Sequence, residues 1–167
     1  MPKLHEAATV GLSERLQTIR KRKGLSQDQL AARASLVRTN LADIEQGRRV
    51  NPRLSTLLRL AEALEVDVVD FFCDRATDRQ QPSDTDATTR VIANVKRLRS
   101  EASLSQEALS LKAHRFRTYV GRLENGSANP MVVDLLELAA ALDASISDLF
   151  QDANSSKDDQ PPPSAPG

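Results

Sequence analysis

Apolar side chains recur along this chain at three- and four-residue intervals. Leu12, Leu16 and Ile19 share one face, with Arg15, Arg20, Lys21 and Arg22 on the others, predicting a helix that Gly24 ends. Ser26 follows as an N-cap, with Gln29 placed to complete a capping box. Leu30 faces inward on this short second helix, which stops around Arg33 to Ser35. A third helix runs from about Val37 to Gln46, with Leu41 and Ile44 inward, and Gly47 closes it. Pro52 opens a fourth, whose buried stripe is Leu54, Leu57, Leu58, Ala61 and Leu64. Val66, Val68, Phe71 and Phe72 supply a fifth.

The same plan returns further along, through Val91, Val95, Leu98, Leu109, Val120, Leu123, Leu135, Leu138, Leu142, Ile146, Leu149 and Phe150. Leu25-Ser26-Gln27 recurs as Leu104-Ser105-Gln106, and the same offset of 79 pairs Arg20 with Arg99 and Glu45 with Glu124. Past one extra residue the offset is 78, pairing Asn51-Pro52 with Asn129-Pro130 and Phe72 with Phe150. Over positions 16–72, 20 of 56 aligned pairs are identical, and the period exceeds any solenoid unit, so a whole domain is duplicated. The expected fold is all-α: two tandem five-helix domains, 11–72 and 90–150, a flexible linker at 73–89 and a disordered tail at 151–167.

Composition narrows the function classes. Charge is balanced at 23 basic and 23 acidic residues, yet residues 1–72 carry 12 against 9 and the linker and tail are each acidic by two. That distribution permits a polyanion partner without requiring one. Cys73 is the single cysteine, and His5 and His114 stand far apart, so neither a disulfide framework nor a zinc site is expected. No apolar run approaches a membrane span, and no signal-peptide core is evident, which points to a cytoplasmic, nucleoid-associated protein. Catalysis has no foothold: there is no His/Cys/Asp cluster, no glycine-rich phosphate loop and no serine nucleophile motif. Neither a cofactor nor a small-molecule ligand is called for.

A short helix opening on Ser-Gln, a tight turn and a helix closing on Glu-x-Gly resemble the Cro and phage-repressor helix-turn-helix family. The resemblance covers 11–72 and 90–150, and implies a bacterial or phage-type transcriptional regulator with double-stranded operator DNA as its partner. A helix fits the major groove, where its first residues reach base edges. The positions of the third helix not consumed by the core are Arg38, Thr39, Asn40 and Asp43, and in the second copy Arg117, Thr118, Tyr119 and Arg122. Arg suits guanine and Asn suits adenine, while Asp43 either accepts from cytosine or orients a neighbouring Arg. The resemblance assigns phosphate contacts to Gln27, Gln106 and Arg53, with Arg48 and Arg49 in the same loop. It makes Arg20–Glu45 and Arg99–Glu124 structural bridges from the first helix to the end of the third.

The second copy departs from the pattern at its turn, where Ser35-Leu36-Val37 becomes His114-Arg115-Phe116. Arg115 falls in a slot meant for an aliphatic residue, so Phe116 or Leu111 is expected to fill the core instead and shift the helix. A 17-residue linker reaches roughly 20–25 Å on average and about 55 Å when stretched, enough for neighbouring half-sites one DNA turn apart. The expected function is a repressor reading two unlike half-sites, with homodimerisation left open. The alternative is a protein-interaction adaptor, antitoxin or anti-repressor in which one domain alone binds DNA.

Overall fold

The computed structural model describes residues 2–48, 51–72 and 86–152, with side chains from residue 11 onward. Arg49, Cys73, most of the expected linker and the tail beyond 152 lie outside the described residues. The first half comprises α1 (Pro2–Arg22), α2 (Gln27–Arg33), α3 (Arg38–Glu45), α4 (Leu54–Leu64) and a 3₁₀ turn at Val68–Phe71. The second comprises α5 (Ala87–Glu101), α6 (Gln106–Lys112), α7 (Tyr119–Glu124), α8 (Val132–Ala141) and α9 (Ile146–Leu149). Two tandem helical units of five elements are thus what the chain forms.

Local chemistry accounts for the boundaries. Ser26 Oγ accepts from Gln29 N (3.1 Å) while Gln29 Oε1 accepts from Ser26 N (2.8 Å), closing the capping box. Ser105 accepts from Ala108 N, and Ala108 has no side chain to return the bond. Asp86 caps α5 by accepting from Thr89 N, so residues 86–89, read from sequence as linker, belong to the second unit. Pro52 does not open α4, because Arg53 takes the N-cap and the Pro52 carbonyl is used elsewhere. Ser35 and His114 hold φ of 51° and 54°, where an L side chain crowds its own backbone at a cost of about 1 kcal/mol.

Leu16, Leu30, Leu41, Leu57 and Leu60 are fully buried in the first half, as are Val91, Leu109, Val120 and Leu135 in the second. Each contributes about 1.5–3 kcal/mol by leaving water. Those two cores hold α3 against α1 and α2, and α7 against α5 and α6.

The halves are also docked against each other. Leu54 N donates to Pro130 O (2.8 Å) and Val132 N to Pro52 O (3.0 Å), making an antiparallel bridge between Arg53 and Met131. Asn51 Oδ1 accepts from Val133 N (3.0 Å), and Asn129 Oδ1 accepts from Ser55 N (3.3 Å). Phe72 stacks on Phe150 with ring centroids 5.6 Å apart. Each contact becomes its partner when the offset of 78 is applied, the reciprocity that a twofold axis imposes. The two halves therefore form an approximately dyad-symmetric pair within one chain. Side chains along the seam break the symmetry: buried Arg90 of α5 pairs with buried Asp67 (2.8 Å) and donates to Phe150 O (2.7 Å), and Arg53 stands opposite Met131.

Candidate nucleic-acid interface

Three helices of each half meet at a polar junction. Arg20 on α1 binds Glu45 at the end of α3 through two parallel bonds of 2.6 and 2.9 Å, and reaches Leu25 O at 2.8 Å. Gln27, the first residue of α2, donates to the same carboxylate at 2.8 Å. Arg99, Glu124 and Gln106 repeat the arrangement at 2.7, 3.1 and 2.7 Å. The two-pronged geometry is the strong form of a charge-assisted bond, and it sets the angle of α3 and α7. Burial pushes the Glu124 carboxyl up, but bonds from Arg99 and Gln106 and the nearby positive charge outweigh it, leaving the group below its ordinary value. The bridging role expected of both Arg–Glu pairs is therefore present, and each Gln named for phosphate contact also serves as a tie to the Glu.

With its far end tied down, α3 presents its start outward. Arg38 and Thr39 are exposed, and Arg38 Nε lies 3.2 Å from Asp28 on α2. Arg117 and Glu107 repeat that pair at 2.7 Å, with Thr118 and Arg122 exposed beside them. Asp43 accepts from Arg48 Nε at 2.8 Å. Asn40 is half-buried and lines a cleft shared with Asn51 and Met131 at the seam. Arg53 is exposed beside that cleft, its Nη1 3.3 Å from Asn129 O.

The second turn corrects several expectations. Tyr119, named with the base readers, is buried, and its hydroxyl donates to Asp134 at 3.0 Å. Burial, then the Asp134 charge, push the phenol above its ordinary value. Arg115 does not upset the core. It lies half-buried between Asp134 (2.8 Å) and Glu137 on α8, where the first half has Thr56 and Arg59. Neither Phe116 nor Leu111 fills the vacated slot, since both are more than half exposed. The start of the helix does shift: Tyr119 N still donates to Phe116 O at 2.9 Å, as Asn40 N does to Val37 O, but α7 begins at Tyr119, two repeat positions later than α3 at Arg38. Buried Ser110 Oγ accepts from Val120 N (3.0 Å), satisfying a helix-start N–H that the Thr118 cap leaves open.

Sequence reasoning missed the exposure of Val37, at 64%, and of Phe116, at 53%. They occupy equivalent places just before Arg38 and Arg117, and Phe116 lies edge-on to Tyr119 with the Arg122 guanidinium 5.9 Å above its ring. A signal existed: Val37 is a poor N-cap residue, and an apolar side chain there gains nothing from the helix. Among the described residues no group of three His, Cys, Asp or Glu is placed to hold a metal, and no helix is long and apolar enough to cross a membrane.

Comparison with known proteins fits this geometry. A family model described as a helix-turn-helix domain matches residues 12–71 and again 93–149. The immunity repressor protein of Bacillus phage phi105 is 52% identical over 60 residues, which are 36% of this chain and 40% of that protein. The control protein C.MunI of a Mycoplasma species is 39% identical over 59 residues, 35% of this chain and 80% of its own length. An uncharacterized HTH-type transcriptional regulator, y4dJ, of Sinorhizobium fredii is 42% identical over 53 residues, 32% of this chain and 69% of its own. No solved structure matches the chain. The matched segment is thus under half of the phage repressor's length but most of the C.MunI chain. With the family model covering well over half of its 167 residues in two segments, this chain belongs to the helix-turn-helix domain family.

Proposed function

We propose that this chain is a sequence-specific DNA-binding transcriptional regulator, a repressor that acts by occupying its operator with both domains. The observation that carries this reading is the matched exposure of Arg38-Thr39 and Arg117-Thr118 at the starts of two tied-down helices. In the major groove each Arg exchanges its neighbouring acid, Asp28 or Glu107, for guanine O6 and N7. Thr39, Thr118 and Arg122 reach adjacent bases, Asn40 suits adenine, and Val37 and Phe116 pack on thymine methyl groups. Gln27, Gln106, Arg48, Arg49 and Arg53 hold the phosphate strands, giving affinity and register without reading sequence. Because the halves are related by an approximate dyad and their reading residues differ, the operator is an inverted repeat with unlike halves. No step of this function needs a cofactor or catalysis, and it is carried out at the nucleoid in the cytoplasm.

In vitro selection from random duplex DNA tests it. The full chain is expected to enrich two inverted, unlike half-sites about one helical turn apart. Arg38→Ala and Arg117→Ala should each weaken binding roughly tenfold or more, at about 1–3 kcal/mol per two-pronged contact. No enriched sequence, or an affinity indifferent to salt, overturns the proposal. A second reading keeps DNA contact in the first domain alone and gives the second a protein partner. Exposed Leu111 and Phe116 favour it, and enrichment of a single half-site by the full chain would select it.

A further inference from the structure

We infer that the seam is built for unlike halves, so that one chain closes on itself as a complete two-headed unit and a second copy is excluded. Three asymmetric positions carry this. Arg90 and Asp67 form a buried ion pair across the seam, with both side chains 5% exposed. The repeat places Gly11 opposite Arg90 and Ser145 opposite Asp67. Pairing two first halves would set Asp67 against Gly11 and bury a carboxylate with no cation. Pairing two second halves would leave Arg90 facing Ser145, with the more distant Asp152 of its own half at 3.9 Å in place of Asp67 at 2.8 Å. Either arrangement pays the desolvation of a charge without its close partner.

The third position is the bridge itself. Arg53 faces Met131. The flanking bonds, Leu54 N to Pro130 O and Val132 N to Pro52 O, make this the close pair of an antiparallel ladder, with Cα atoms about 4.5 Å apart. Two first halves would bring Arg53 against Arg53 there, like charges directly opposed. Pairing within a chain is favoured further by the tether. Phe72 stacks at the seam and Arg90 lies at it, so the segment between them starts and ends beside the same contact. That gives the second half a high effective concentration near the first. The inference concerns assembly and holds whether or not either half binds DNA.

Cysteine crosslinking of the full chain in a Cys73→Ser background tests it. Arg53→Cys with Met131→Cys sets two thiols at a separation suited to a disulfide. Mild oxidation is expected to give a fast-migrating monomer on a non-reducing gel. Predominant disulfide-linked dimers, or no crosslink in a chain that circular dichroism shows to be folded, would overturn the inference. Arg53→Cys alone and Met131→Cys alone should stay monomeric, and like-with-like dimers from either would remove the claimed exclusion. Arg90→Met should slow the internal crosslink by roughly tenfold or more, because it strands Asp67. Adding Asp67→Asn should restore much of that rate, and equal rates in all three chains would show that the ion pair selects nothing. A chain that crosslinks internally yet enriches no DNA sequence would sink the functional reading and leave this one standing.

Discussion

The two halves share a scaffold and differ at the face it presents. In the first, the turn carries Leu36 packed on the core, and the open start of α3 is largely polar: Arg38, Thr39 and half-buried Asn40. In the second, Arg115 replaces that leucine and leaves the core for Asp134 and Glu137, while Tyr119 replaces Asn40 and turns inward. The exposed start there is an aromatic and cationic trio of Phe116, Arg117 and Arg122. The start of α7 comes two repeat positions later than that of α3, whereas the Arg–Glu–Gln junction at the other end of the helix is the same in both. A conserved anchor at one end of a helix lets the other end vary.

The largest test of that comparison is at the anchor. Glu45→Ala strands Arg20 in a junction whose side chains are 9% and 0% exposed, and is expected to cost about 3–5 kcal/mol in chemical denaturation. Glu124→Ala, at a junction exposed to 14% and 6%, should cost less. Equal losses would mean that burial does not separate the anchors. Acid should act on the second anchor. The folded Glu124 lies below its unfolded value, so its contribution is complete above that unfolded value and is lost as pH falls through the folded one.

Tyr119 offers a spectroscopic reading of the inward turn. It is the single tyrosine of the chain, so phenolate absorbance reports it alone. Its folded value is raised, so the stability it lends is complete below the ordinary tyrosine value near 10 and is lost as pH rises beyond it. Titration should show phenolate forming above that value, and Asp134→Asn should bring it part of the way back. An ordinary titration would place Tyr119 on the open face with Asn40.

Ser110→Ala removes the acceptor of the Val120 N–H and should cost about 1–3 kcal/mol, whereas Ala31 holds the equivalent place in the first half without such a bond. A neutral outcome would mean that the second helix needs no outside cap. Phe116→Ala should erase a few-fold preference for thymine over deoxyuridine in one half-site, about 1 kcal/mol for a methyl contact. If the preference survives, Phe116 faces away from the bases. The smallest effect is expected from His114→Gly and Ser35→Gly, each relieving a left-handed backbone. A gain of up to about 1 kcal/mol is offset in part by the freer unfolded chain.

The duplicated five-element plan and its capping residues were legible because they rest on spacing within a turn or two of helix. Ser26 with Gln29 is one such pattern, and Leu12, Leu16 and Ile19 another. The Arg20–Glu45 bridge was reachable through resemblance alone, since its partners stand 25 residues apart. Three decisions needed the folded chain. Arg115 found its carboxylates on α8, Tyr119 found Asp134, and Asn51-Pro52 met Asn129-Pro130.

The sequence by itself determined that this chain is two helical domains of one family, because helical period, caps and turn glycines act between neighbours. Tertiary structure alone decided which side chains of the second turn face water and how the halves dock. Those outcomes depend on charges and backbone bonds supplied from as far as about eighty residues away, and no local pattern records them.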